Sequence, residues 1–177
     1  MRNSLFFFVF LLFACCRQQE ARRPINPKPS TTIIKTMVEE SKVLNEIENK
    51  KIENYIKQDP KTVYINSASG FWYTYLHKIE EDVPSPKFEE LAIISYDIKD
   101  LSRETIYSSE ELGLKNYIVD RSDFIPALQQ GIKLMKIGEV VTFVIPSYRA
   151  YGISGDGNKI GINQSIISTV KLINIIK

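Results

Sequence analysis

The sequence predicts an α+β domain, an antiparallel sheet wrapped around one short helix and preceded by a longer amphipathic helix. Three observations carry this. From Thr32 to Asp59 apolar residues recur at roughly every third and fourth position among many charges. After Pro60 the pattern changes to short runs rich in Val, Ile, Tyr and Phe, divided by turn residues. One later stretch, around Leu128, returns to helical spacing. Many strand-like runs around a single short helix fit the α+β class.

The elements follow in order. The chain opens MRNSLFFFVFLLFACC, with Arg2 ahead of an apolar run from Leu5 to Phe13. That run is too short to span a bilayer as a stable helix and fits a secretory signal over residues 1–14. Its end, Leu12-Phe13-Ala14-Cys15, resembles the lipobox of bacterial lipoproteins, which implies lipidation at Cys15. An ordinary signal peptide or a weak membrane anchor is the alternative. Cys15 and Cys16 are the only cysteines, so a lipidated Cys15 leaves no disulfide framework and stability must come from a buried core. Residues 15–31, which include ARRPINPKPS, have the prolines and polarity of a tether. Ile34, Met37, Val38, Leu44, Ile47, Ile52, Tyr55 and Ile56 then mark an amphipathic helical arm over residues 32–59, ended by Asp59-Pro60. Its apolar face packs on the domain or on a protein partner.

The remaining residues, 62–177, read as one domain. TVYIN is a short strand candidate, and GFWYTYLHKI alternates Trp72, Thr74 and Leu76 with Phe71, Tyr73 and Tyr75. VPSPK (Val83–Lys87) breaks the chain, and FEELAIISYDIK and NYIV (Asn116–Val119) follow as strands. In DFIPALQQGIKLMKIG, Pro126 suits the first helical position and Leu128, Ile132 and Met135 share one face, with Gly138 just past the C-terminus. EVVTFVIP and SIISTVKLINII are the last two strands.

Composition and motifs exclude several chemistries. A formal net charge of +2 gives no electrostatic case for nucleic acid. His77 is the only histidine, so a serine triad, a cysteine protease or a zinc site lacks its residues. The glycine-rich GISGDGNKIG (Gly152–Gly161) is not a phosphate loop, because Asn158 stands before Lys159 and Ile160 replaces the hydroxyl residue. A calcium loop from Asp156 would need oxygen ligands at Ile160 and Ile167. The carboxylates read mostly as solvated runs such as Glu80-Glu81-Asp82. What remains is an ordered apolar and aromatic set: Ile145-Pro146, Tyr148, Tyr151-Gly152 and Ile160.

That set resembles the FKBP-type peptidyl-prolyl cis–trans isomerases over roughly residues 88–177. Gly131, Met135, Gly138 and Glu139 stand as in the family's G-x-x-x-M-x-x-G-E segment, and Ile145-Pro146 with Ala150-Tyr151-Gly152 as in its IP-x-x-x-AYG. With the lipobox and the leading helix, the chain looks most like the gliding-motility-associated FKBP-type lipoproteins of Bacteroidota.

The resemblance implies an apolar bowl between sheet and helix. Its wall is Tyr96, its floor Leu128, and Phe124 and Ile125 stand before the helix, with the Ile125 N–H donating to a substrate carbonyl. Tyr151 offers its hydroxyl, and Ile160 closes the loop side. The family's pocket-edge aspartate becomes Tyr107, and a position often held by phenylalanine falls on Ser168, so a differently shaped and wetter rim is expected, with Tyr148 nearby. The glycines let the chain pass around that rim and present Ile160.

The implied function is a cofactor-free, metal-free prolyl isomerase acting on proline-containing envelope or secreted proteins. It is held by its lipid at a membrane, by analogy the outer one, facing the periplasm or the exterior. A catalytically weak FKBP-like chaperone, or a structural envelope component docking through helix 32–59, is the alternative.

Overall fold

The computed structural model describes residues 31–177. The signal segment, Cys15 and the tether up to residue 30 lie outside the described residues. Helix α1 (Thr31–Lys57) realises the amphipathic pattern, ending two residues before the expected stop. From Val38 onward the helix belongs to one compact unit that runs to Lys177.

Eight antiparallel strands follow: β1 (Ile65–Asn66), β2 (Trp72–His77), β3 (Leu91–Tyr96), β4 (Ile98–Lys99), β5 (Thr105–Tyr107), β6 (Leu114–Ile118), β7 (Val140–Ile145) and β8 (Ile166–Ile176). Their spatial order is β1-β2-β7-β8-β3-β6, with β4 between β5 and β8. Two helices interrupt the strands, α2 (Ser109–Leu112) and α3 (Pro126–Ile132).

Alternation along β7 and β8 sends side chains to opposite faces of the sheet. Val141, Phe143 and Ile145, with Ile166, Val170 and Leu172, join the main core beneath α3. Val144 and Ile167 face the other way and bury Ile52 of α1, with Trp72 and Tyr55 beside them. The C-terminal half of α1 therefore covers the back of the sheet, while α3 covers the front. The close approach of α3 requires a glycine, since a Cβ on Gly131 would stand 2.4 Å from the Phe143 ring.

The structure corrects several boundaries. TVYIN contributes only Ile65 and Asn66. FEELAIISYDIK is broken at Asp97, whose backbone N–H and side-chain Oδ1 both engage Thr169. The α3 helix closes at Ile132, so Met135 packs from a turn, and Gly138 (φ 92°) serves the approach to β7 instead of capping the helix. The four-residue α2, capped by Ser108, and the 3₁₀ turn Ser147–Arg149 are additions to the one short helix expected. The reading of carboxylates as solvated fails at Glu48 and Glu139, which are both buried. Glu139 accepts the N–H groups of Ile79 and Lys136, at 3.0 and 2.8 Å, and so closes the turn into β7.

Candidate functional site

Where α3 begins, the chain passes from β6 through Asp123-Phe124-Ile125 into Pro126 at N1. Proline has no N–H to satisfy there, and its fixed φ starts the helix without further ordering. Gln129 Nε2 donates to the Phe124 carbonyl at 2.8 Å, and the Gln129 N–H donates to that of Ile125 at 3.0 Å. Both carbonyls before the helix are thus held from within it. The Ile125 N–H finds no acceptor among the described residues.

Above this turn lies a pocket of about 310 Å³, lined by Tyr96, Lys115, Asp123, Phe124, Ile125, Pro126, Ala150 and Tyr151. Phe124 stands edge-on to Tyr96, ring centroids 5.2 Å apart, and leans on the buried Tyr117 at 5.8 Å. Lys115 Nζ sits 5.5 Å from the Phe124 centroid, a cation over an aromatic face at the pocket mouth. Tyr96, Phe124, Ile125 and Tyr151, named from the sequence, are therefore brought together. Leu128 and Ile160, named with them, are buried in the core cluster that supports these walls and do not line the opening.

Burial pushes the Tyr151 hydroxyl up to about 12, helped by the neighbouring Tyr96, Asp156 and Tyr107 groups. Burial also raises Tyr96. Both hydroxyls stay protonated at ordinary pH, and neither makes a hydrogen bond among the described residues. The pocket thus offers aromatic surface, two phenolic donors and one main-chain donor.

The glycine loop folds around the Asp156 carboxylate. Asp156 Oδ1 accepts the N–H groups of Asn158 and Ile160 at 2.9 and 2.8 Å, and Oδ2 accepts the Tyr107 hydroxyl at 2.5 Å. Partial burial pushes the Asp156 carboxyl up, but the hydrogen bonds from Tyr107, Asn158 and Ile160 prevail and hold it below the usual range. The bond to Asp156, with burial, raises Tyr107 in turn. Lys159 Nζ crosses the Tyr107 ring at 4.6 Å and pairs with Glu111 at 2.6 Å. Gly155 (φ 65°) is obligatory, because a Cβ there would lie 2.3 Å from the Ile160 carbonyl oxygen. The Asp-Gly pair at 156–157 was the signal available: aspartate in a turn bonds backbone N–H groups two residues on.

The remaining rim residues lie elsewhere. Ser168 is fully buried opposite Phe143 and donates to the Asp97 carbonyl at 2.7 Å, so its hydroxyl does not wet the pocket. Tyr148 points to α1, donating to Asn49 Oδ1 at 3.0 Å. His77 is exposed at the end of β2, paired in register with Val140. Among the described residues no group of three or more His, Cys, Asp or Glu is placed to hold a metal, and no helix is long and apolar enough to cross a membrane.

Residues 84–173 match the model of the FKBP-type peptidyl-prolyl cis–trans isomerase family. A probable FKBP-type peptidyl-prolyl cis–trans isomerase FkpA from Neisseria meningitidis is 32% identical over 123 residues, 70% of this chain. The chain spans 43% of that relative's length. Among solved structures, a peptidyl-prolyl cis–trans isomerase from Pseudomonas syringae superposes with a TM-score of 0.62 at 18% identity, over 77% of this chain and 96% of its own. FkpA from Escherichia coli gives the same TM-score at 20% identity, over 99% of this chain and 82% of its own. At those identities the likeness speaks for the fold.

Proposed function

The chain belongs to the FKBP-type peptidyl-prolyl cis–trans isomerase family, and from that premise we propose that it is a prolyl isomerase acting in the pocket bounded by Tyr96, Phe124, Ile125 and Tyr151. The observation that carries the proposal is an aromatic pocket whose donors make no internal hydrogen bond. Rotation about a peptide C–N bond meets a barrier of about 18–20 kcal/mol, because the planar amide is stabilised by resonance. At the twisted transition state that resonance, and the charge separation it brings, is reduced. Water favours the planar, dipolar ground state, whereas a dry aromatic surface favours it less. Binding the twisted form more strongly than the planar one is what accelerates the step. Each ~1.4 kcal/mol of such preference gives about tenfold. The Tyr151 hydroxyl and the Ile125 N–H hold the flanking carbonyls, so rotation occurs in a fixed frame. No proton transfer or covalent intermediate is needed.

The test is acceleration of proline-limited refolding by the full chain, with Phe124→Ala as control. Acceleration that disappears in the control supports the reading. A folded protein with no effect leaves a second one, a chaperone or binding module with the same bowl and little turnover. That second reading draws on Tyr107, which stands where the family places a pocket-edge aspartate.

The run Leu5–Phe13 ahead of Cys15 supports a finer proposal, a lipid-anchored protein of the cell envelope whose substrates are proline-containing envelope or secreted proteins. The resemblance to gliding-motility lipoproteins points to the gliding apparatus as the setting. Labelled palmitate incorporated by the chain and lost in Cys15→Ser is the expected result. Equal labelling of both proteins, or of neither, removes the anchor from Cys15.

A further inference from the structure

We propose that Glu48, on the N-terminal helix and outside the pocket, is a positioning residue for Tyr151. The proposal rests on the prolyl-isomerase reading of that pocket, but its geometry stands alone. Glu48 is 7% exposed. Its Oε2 accepts the Ser147 N–H at 2.8 Å and its Oε1 accepts the Ser147 hydroxyl at 2.6 Å. Ser147 therefore presents both of its donors to one carboxylate.

The Ser147 carbonyl faces the other way. It accepts the N–H groups of Ala150 and Gly152, each at 2.8 Å, and these are the residues on either side of Tyr151. A continuous path of hydrogen bonds thus runs from α1 through a single residue to the backbone that carries the Tyr151 ring. The far end of the loop converges on the same group, with Ser165 Oγ 3.5 Å from Glu48 Oε2. Gly152 also accepts the Asn163 N–H at 2.9 Å, which links the outgoing and returning strands of the loop.

Position on the helix makes the arrangement rigid. Glu48 and Ile52 are four residues apart and share a helix face. Ile52 is fully buried against Val144 and Ile167, in the two strands that the loop connects. The apolar contact fixes the helix against the sheet, and the carboxylate one turn earlier fixes the loop against the helix. Asn49 adds the bond from the Tyr148 hydroxyl. The C-terminal part of the helix, from Glu48 on, is consequently part of the frame of the site.

The experiment compares the full chain with Glu48→Ala, Glu48→Gln and Ser147→Ala, reading amide exchange residue by residue alongside proline-limited refolding. In Glu48→Ala the Ala150 and Gly152 amides exchange at least tenfold faster, while Val119 and Leu172 in the body of the domain keep their protection. Catalysis per folded molecule falls several-fold. Glu48→Gln retains a side-chain oxygen for the Ser147 N–H and recovers most of both. Ser147→Ala keeps the helix intact, loses only the hydroxyl contact and moves the same amides by less. The proposal is overturned if exchange rises uniformly through loop and sheet, or if catalysis per folded molecule is unchanged in Glu48→Ala. Should the unmodified chain itself not accelerate refolding, the isomerase reading fails, and local loosening at Ala150 and Gly152 still decides whether Glu48 positions the loop.

Discussion

The wall formed by Tyr96, Phe124 and Ile125 and the wall formed by Tyr151 and the loop to Ile160 enclose one pocket with different forces. In the first, aromatic and aliphatic groups pack on Tyr117 and Leu128 in the main core. Full burial of such a side chain contributes about 1.5–3 kcal/mol, whatever the pH. In the second, the course of the chain is fixed by hydrogen bonds to two carboxylates, Asp156 within the loop and Glu48 beneath it. Hydrogen bonds to charged groups are worth roughly 1.5–3 kcal/mol each, and a buried donor left without its acceptor costs about 1–3 kcal/mol. One wall is therefore sensitive to lost volume and the other to lost charge. Ile160 joins them, since its side chain is buried in the core and its N–H is held by Asp156.

Phe124→Ala gives the largest expected effect. It removes the ring that touches both Tyr96 and Tyr117 and opens the pocket to water. Fully buried phenylalanines cost about 3–5 kcal/mol on truncation to alanine. Phe124 is half-buried, so a stability loss of about 1–3 kcal/mol is expected, with catalysis of proline-limited refolding down tenfold or more. Denaturant titration and the refolding assay measure the two quantities. Asn158 and Ile160 amide protection should survive, because the loop has its own ties. Its collapse in this variant would show that the two walls are a single unit.

The difference between the walls also explains what the sequence could and could not show. The alternation in β2, the apolar runs of β7 and β8 and the Pro126 start of α3 are local signals, and all appear in the structure almost as read. The pocket residues of the packed wall came from a family resemblance, and Tyr96, Phe124 and Ile125 indeed meet. The polar ties were missed because they are nonlocal. Glu48 lies in the run NEIENKK, where only a partner 99 positions away distinguishes it from its solvated neighbours. Glu139 is likewise buried by a contact with Ile79, 60 positions away. Ser168 was expected to wet the rim, and only the break in the strand at Asp97 supplies the carbonyl that occupies its hydroxyl. Asp156 differs, because its bonds to Asn158 and Ile160 are short-range and the Asp-Gly turn pattern was there to be used.

Acid separates the walls without mutation. Because the folded protein holds the Asp156 carboxyl below its usual range, its contribution to loop stability is fully present above the ordinary carboxylate value of about 3.9. It is lost as pH falls through the lower, folded value. Protection factors at Asn158 and Ile160 should therefore be constant from neutrality to about pH 4 and decline in more acid solution, while Val119 remains protected further down. Asp156→Asn should lower those two factors at neutral pH and remove the acid step. An acid decline of the same midpoint in the variant would assign the step to a different group.

Tyr151→Phe is expected to have the smallest effect, and it asks which wall carries catalysis. The substitution leaves the ring in place and deletes a hydroxyl that makes no hydrogen bond among the described residues, so stability should change by less than ~0.5 kcal/mol. If the dry aromatic surface supplies most of the preference for the twisted amide, losing one hydrogen bond to the substrate costs about 0.5–1 kcal/mol, or roughly two- to fivefold in rate. With the phenol held up at about 12, the unmodified protein should show no step in activity from about pH 6 to about pH 9 attributable to this group. A loss in Tyr151→Phe as large as that in Phe124→Ala would invert the assignment. The hydrogen bond from the loop wall would then carry the acceleration, and the packed wall would do no more than hold the substrate's proline ring.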